Sequence, residues 1–159
     1  MSTSTLLTEI DRELDDELRW QRLWLAAQKT PWSSLVLLPI GEGVPAAALS
    51  TKLAKVGEEH LGGTVVALDS TNVTLSTLKD ELSAFAERAR CAGRAIVAVP
   101  PLPRSPAGLT LAQAADAVIL CVGLGESEIA EAQQILEGLD RSRVLGAIVL
   151  SSEHGREAS

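Results

Sequence analysis

Three short stretches hold the residue types from which phosphate chemistry is built. In the first, Pro39-Ile40-Gly41-Glu42-Gly43-Val44-Pro45-Ala46, two glycines stand between an apolar run and a helical pattern. Glycines at such a turn let backbone N–H groups approach a phosphate, and a loop that grips a triphosphate adds a lysine for the outer phosphates and a Ser or Thr hydroxyl for Mg²⁺. Here Val44 stands at the lysine position and Pro45 and Ala46 at the hydroxyl positions, so the cation, the metal ligand and one backbone donor are missing. Glu42 adds a charge that repels phosphate. Gly41 and Gly43 also have a plainer use, which is to permit a tight strand-to-helix turn.

The second stretch, Val65-Val66-Ala67-Leu68-Asp69, ends an apolar run on a carboxylate that could hold a Mg²⁺-bound or catalytic water, or could cap the next turn. Asn72 and the neighbouring Ser and Thr hydroxyls favour the cap. The third, Ala95-Ile96-Val97-Ala98-Val99, runs into Pro100-Pro101 with no acidic residue. Near the start, Asp16, Arg19 and Arg22 recur every third residue and share one side of a helix, where they form either a solvated face or carboxylate–guanidinium bridges to another subunit. Trp20 and Trp24, one turn apart, suit either a core or a binding surface. Cys91 and Cys121 have no His or Cys at metal-ligand spacing and are expected to be buried free thiols, with no metal and no cofactor.

The elements that must position these residues follow from periodicity. Leu7, Ile10, Leu14, Leu18 and Leu25, with a second line of Trp20, Leu23 and Trp24, predict an amphipathic helix over 5–28 that ends before Pro31. Apolar runs at 35–38, 64–68, 95–99, 117–122 and 144–150 predict strands, and helical patterns at 45–61, 74–91, 109–115 and 127–139 alternate with them. Continuous apolar strands joined by helical crossovers specify an α/β protein, a three-layer α/β/α sandwich around a mainly parallel sheet of about five strands. Ligands of such sheets bind beyond the carboxyl ends of the strands, at 39–46, 69–71, 100–106 and 123–127. The expected organisation is a helix for partner contact over 1–30, the sandwich over 31–151 and a tail over 152–159.

With 159 residues and 46% hydrophobic content the chain can bury one substantial core. A net charge of −7 and a pI of about 4.8 repel nucleic acid and anionic lipid, so neither is an expected partner. No leader peptide and no long apolar run is visible, and the expected location is the cytoplasm, peripheral to the inner membrane at most through a partner.

From about Asp16 to Leu150 these pieces resemble the bacterial tyrosine kinases of capsule and exopolysaccharide assembly, relatives of the ParA and MinD P-loop ATPases. Gly41-Glu42-Gly43 matches the centre of the family's P-G-E-G-K-S-T loop, while Val44-Pro45-Ala46 departs from it. Leu68-Asp69-Ser70-Thr71 is similar to its D-A-D strand end, keeping the first aspartate, and Val97-Ala98-Val99-Pro100-Pro101 to its D-T-P-P strand end, with Ala98 for the aspartate. Leu111 to Leu120 resembles its L-A-x-x-A-D-x-V-x-L-V segment, and Asp16-Glu17-Leu18-Arg19-Trp20-Gln21-Arg22 its subunit-bridging E-x-x-R-x-x-R helix, with Asp for Glu. The chain has no tyrosine, so the family's carboxyl-terminal tyrosine cluster is missing. The resemblance implies a P-loop NTPase-like fold and a pseudo-kinase that acts by binding: to itself, to an active kinase homologue, or to the cytoplasmic end of a membrane polysaccharide co-polymerase. The alternative is a ParA/MinD-like nucleotide-binding switch or weak ATPase that uses backbone contacts and Asp69.

Overall fold

A computed structural model describes residues 8–10, 13–41, 43–61, 64–102, 106–123 and 126–150. In chain order the elements are β1 (Thr8–Ile10), α1 (Glu13–Ala27), β2 (Ser34–Ile40), α2 (Ala46–Leu61), β3 (Val66–Asp69), α3 (Leu78–Ala92), β4 (Ala95–Ala98), α4 (Pro106–Ala114), β5 (Ala117–Gly123), α5 (Glu126–Gly138) and β6 (Val144–Leu150). One six-stranded sheet has the order β1-β6-β5-β2-β4-β3, and every pairing in it is parallel.

Side chains alternate across a strand, so a strand covered on both sides needs apolar residues throughout. Along β2, Leu35 and Leu37 enter one core while Val36, Leu38 and Ile40 enter the other. β5 divides likewise, with Ala117, Ile119 and Cys121 against Val118, Leu120 and Val122. Helices α1 and α2 close the first core with Trp20, Leu23, Trp24, Leu49 and Leu53. On the far side α3, α4 and α5 contribute Phe85, Ala89, Ala107, Leu111 and Ala132. This is the α/β/α sandwich that the strand-helix alternation implies.

Several expectations need correction. The helix expected from residue 5 begins at Glu13, because Thr8–Ile10 forms an edge strand paired with Ile148, Val149 and Leu150. Three residues are too few to display a period of two, and Ile10 fits a helical line equally well. Residues 5–7 lie outside the described residues, as does the tail after 150. Within α1 the buried line is Trp20, Leu23, Trp24 and Ala27, whereas Leu18 and Leu25 are 53% and 52% exposed. Helix α3 starts at Leu78 rather than 74 because the hydroxyls of Thr74, Ser76 and Thr77 bond to one another and to the Thr74 backbone, which holds that stretch as a turn. Helix α4 starts at Pro106, not 109, and proline is pre-set for a first helical turn. Of the two thiols only Cys121 is buried; Cys91 is exposed and donates to Glu87 Oε2 at 3.3 Å.

Helix α1 is seated on α2 through one close approach. A Cβ on Gly57 would lie 2.5 Å from Trp24 Cη2 and 2.7 Å from Cζ2, so only glycine leaves room for the indole. Replacing a mid-helix glycine by alanine ordinarily stabilises by about 0.5–1 kcal/mol, while overpacking a core costs about 1–3 kcal/mol. Gly57→Ala is therefore expected to lower stability, by about 1–2 kcal/mol in urea unfolding. The penalty should vanish when Trp24→Leu is present in the same chain.

Candidate functional site

The loop between β2 and α2 opens at Gly41, whose φ of 101° is a conformation other residues avoid. Its N–H donates to Leu102 O at 3.1 Å, and Leu102 N–H donates to Pro39 O at 3.0 Å, so the chain leaving β4 is bridged to the end of β2. Further along, Ala46 N–H donates to Val44 O at 3.0 Å, and Leu49 N–H donates to Pro45 O at 3.0 Å to open α2. The N–H groups of Gly41 and Ala46 are thus held by main-chain carbonyls of this chain. The Val44 side chain is half-buried against the α1–α2 core, Ala46 is buried, and Pro45 is exposed. Gly43 is exposed, with open space around its Cα, and Glu42 lies outside the described residues.

Ala98 is fully buried at the end of β4, in register with Leu37 of β2 on one side and Asp69 of β3 on the other. The sheet therefore brings Asp69 and Ala98 side by side, at the same carboxyl edge as the Gly41–Ala46 loop. Asp69 is exposed, and its Oδ1 accepts from Thr71 N–H at 3.0 Å and Thr71 Oγ1–H at 2.6 Å. Both bonds favour the ionised form and hold the Asp69 carboxyl below the usual aspartate range. Next to it, Ser70 N–H donates to Ala98 O at 2.8 Å and Ser70 Oγ–H to Glu81 Oε1 at 2.5 Å. Asp69 closes a local turn with its carboxylate, and its hydrogen bonds among the described residues come from Thr71. No cluster of three His, Cys, Asp or Glu side chains suited to a metal occurs among the described residues.

The residues chosen for partner contact separate. Trp20 and Trp24 are 3% and 0% exposed, enclosed by this chain's own core, so neither offers a surface to a partner. Arg22 is exposed and Arg19 half-buried on α1; the side chain of Asp16 lies outside the described residues. No helix among the described residues is long and apolar enough to cross a membrane.

Sequence reasoning missed two clasps at the opposite edge of the sheet. Asp116 Oδ2 accepts from Ser33 N–H at 2.8 Å and Ser34 N–H at 3.2 Å, while Ser34 Oγ accepts from Asp116 N–H at 2.9 Å, tying β2 to β5. Arg143 donates to the carbonyls of Gln113 and Ala115, closing the end of α4. The only signal for the first was an aspartate placed directly before an apolar strand.

This architecture is already known among solved structures. The chain superposes on the BceF tyrosine kinase domain with a TM-score of 0.64 at 15% identity, over 86% of this chain and 77% of that one. It has the fold of a tyrosine kinase domain. It also superposes on the chimerical protein CapA2B2 with a TM-score of 0.60 at 13% identity, over 91% of this chain and 92% of that one. No protein-family model and no curated protein matches the sequence.

Two outcomes are expected. Because its folded pKa is depressed, Asp69 contributes stability that is complete above the unfolded aspartate value of about 3.9 and is lost as pH falls through the lowered value. Thr71→Val should flatten that acid limb in urea unfolding between about pH 5 and about pH 2. Asp116→Ala leaves two strand-end N–H groups without their acceptor and is expected to lose about 1–2 kcal/mol in the same measurement.

Proposed function

We propose that this chain is a non-catalytic, kinase-like binding or scaffold component of exopolysaccharide or capsule assembly. The fold likeness to the BceF tyrosine kinase domain supports the kinase-like part, and the order of the partial motifs along the chain supports the setting. The observation that carries the non-catalytic part is the state of the loop. Val44 lies on the core instead of offering a cation, and the Gly41 and Ala46 N–H groups are bound to Leu102 O and Val44 O. Stabilising charge on a transferring phosphoryl group requires donors and cations aimed at it, and each such stabiliser is worth several kcal/mol of barrier. Asp69, bonded to Thr71, and Ala98, apolar and buried, supply no evident substitute.

The chain would then act through protein contacts, with itself, with an active homologue, or with a membrane polysaccharide co-polymerase. Leu18, Arg22 and Leu25 lie on one exposed side of α1, an apolar line crossed by a cation, as a protein contact requires. Its place in the cell would be the cytoplasm, peripheral to the inner membrane through that partner.

Two measurements test this. Calorimetric titration with Mg²⁺-ATP should be silent up to about 1 mM; affinity in the micromolar range, about −8 kcal/mol, would reject it in favour of a ParA/MinD-like nucleotide switch. For the contact surface, light scattering on the wild type and on Arg19→Ala/Arg22→Ala should show the variant shifted toward monomer, and equal masses would remove α1 from the interface.

A further inference from the structure

At the amino-terminal edge of the sheet, opposite the Gly41–Ala46 loop, an arginine is held against two tryptophan rings. Arg94 immediately precedes β4 and Trp32 lies just before β2; the two chains meet where Ala95 N–H donates to Ser33 O at 2.8 Å. The Arg94 guanidinium carbon lies 4.6 Å from the centroid of the Trp32 ring and 5.7 Å from that of Trp24. The two indoles meet edge to face, with centroids 5.8 Å apart and planes at 81°. Trp32 is itself pinned, donating from Nε1 to Ala27 O at 3.2 Å. Stacking on pinned rings fixes the planar fork of an arginine before any ligand arrives, which reduces the ordering cost of binding.

The same cluster is rich in donors and poor in acceptors. Among the described residues the buried side-chain polar atoms without a hydrogen-bond partner are Trp24 Nε1, Gln28 Nε2 and Arg94 Nη1, all of them donors. Gln28 follows Trp24 by one helical turn and donates its N–H to Trp24 O. No ion pair to a carboxylate neutralises Arg94 among the described residues, and burial lowers its affinity for its proton. Arg94 as a whole is half-buried, while its Nη1 is buried. An oxyanion on that fork would provide the acceptor and the counter-charge that the cluster lacks.

We propose that Arg94, held on Trp32 and Trp24, is an oxyanion-binding site distinct from the β2–α2 loop, taking a carboxylate or a phosphate. It does not depend on the function proposed above.

The test is a titration of the ¹⁵N-labelled protein, followed through its three indole N–H resonances. One series uses N-acetyl-leucyl-glutamate and the other inorganic phosphate at matched ionic strength. The Trp24 and Trp32 resonances should move saturably with a Kd below about 1 mM in at least one series, while Trp20 stays still. Saturation by the dipeptide alone assigns the site to protein carboxylates, and saturation by phosphate alone to free anions. Arg94→Gln should weaken binding by about tenfold or more, and Arg94→Lys, which keeps the charge but loses the planar fork, should also weaken it. If Arg94→Gln does not give a cooperative unfolding transition, Arg94→Lys decides. No saturable shift in either series, or unchanged affinity in the folded variant, overturns the proposal.

Discussion

Everything in this molecule depends on burying both faces of β2, β4 and β5. A parallel sheet has no solvated face, so most residues of these strands enter one of two cores, and none from Leu35 to Ile40 can be polar without a partner. Polar chemistry is thereby driven to the strand ends. At the carboxyl end, the usual place for a ligand, the described residues bond to one another. The segment after β4 bonds to the end of β2, Val44 lies on the core, and Ala98 fills with a methyl group the position between Leu37 and Asp69. At the amino end, hydrogen bonds and stacked rings gather instead, in the Asp116 clasp and the Arg94–Trp32–Trp24 cluster.

The contrast between the two ends has a simple electrostatic basis. A triphosphate requires concentrated positive charge, and the carboxyl end offers a carboxylate at Asp69 that its hydrogen bonds keep ionised. At the other end Arg94 lies over the rings of Trp32 and Trp24, with no ion pair to a carboxylate among the described residues. A fold shared with a tyrosine kinase domain is thus present, and fold alone does not carry the chemistry of a site built on it.

Much of the architecture was legible in the sequence, because unbroken runs such as Ala117 to Val122 permit few structures other than a doubly covered strand. The positions of Gly41, Asp69 and Ala98 at one sheet edge followed from that order. Legibility failed where a residue's role depends on something distant in the chain. Ile10 fits a helix or a three-residue strand, and only its partner Leu150 decides. Trp24 fits a core or an interface, and only the missing side chain of Gly57 shows that an indole is seated there. Leu18 and Leu25 formed the more regular apolar line, yet the tryptophan line bury more area and took the core. Asp116 became visible as a clasp only when Ser33 and Ser34 were placed beside it.

The central proposal is that the described residues at the carboxyl edge of this sheet offer no seat for a nucleotide triphosphate. A ligand that binds the folded state alone raises its stability, by about 2.7 kcal/mol at a concentration one hundred times its Kd. The direct measurement is the thermal unfolding midpoint of the wild-type protein with and without millimolar Mg²⁺-ATP, at fixed ionic strength. Superimposable transitions are the expected result. A midpoint that climbs with nucleotide concentration, and stops climbing in a Gly41→Val variant that is otherwise folded, would contradict it.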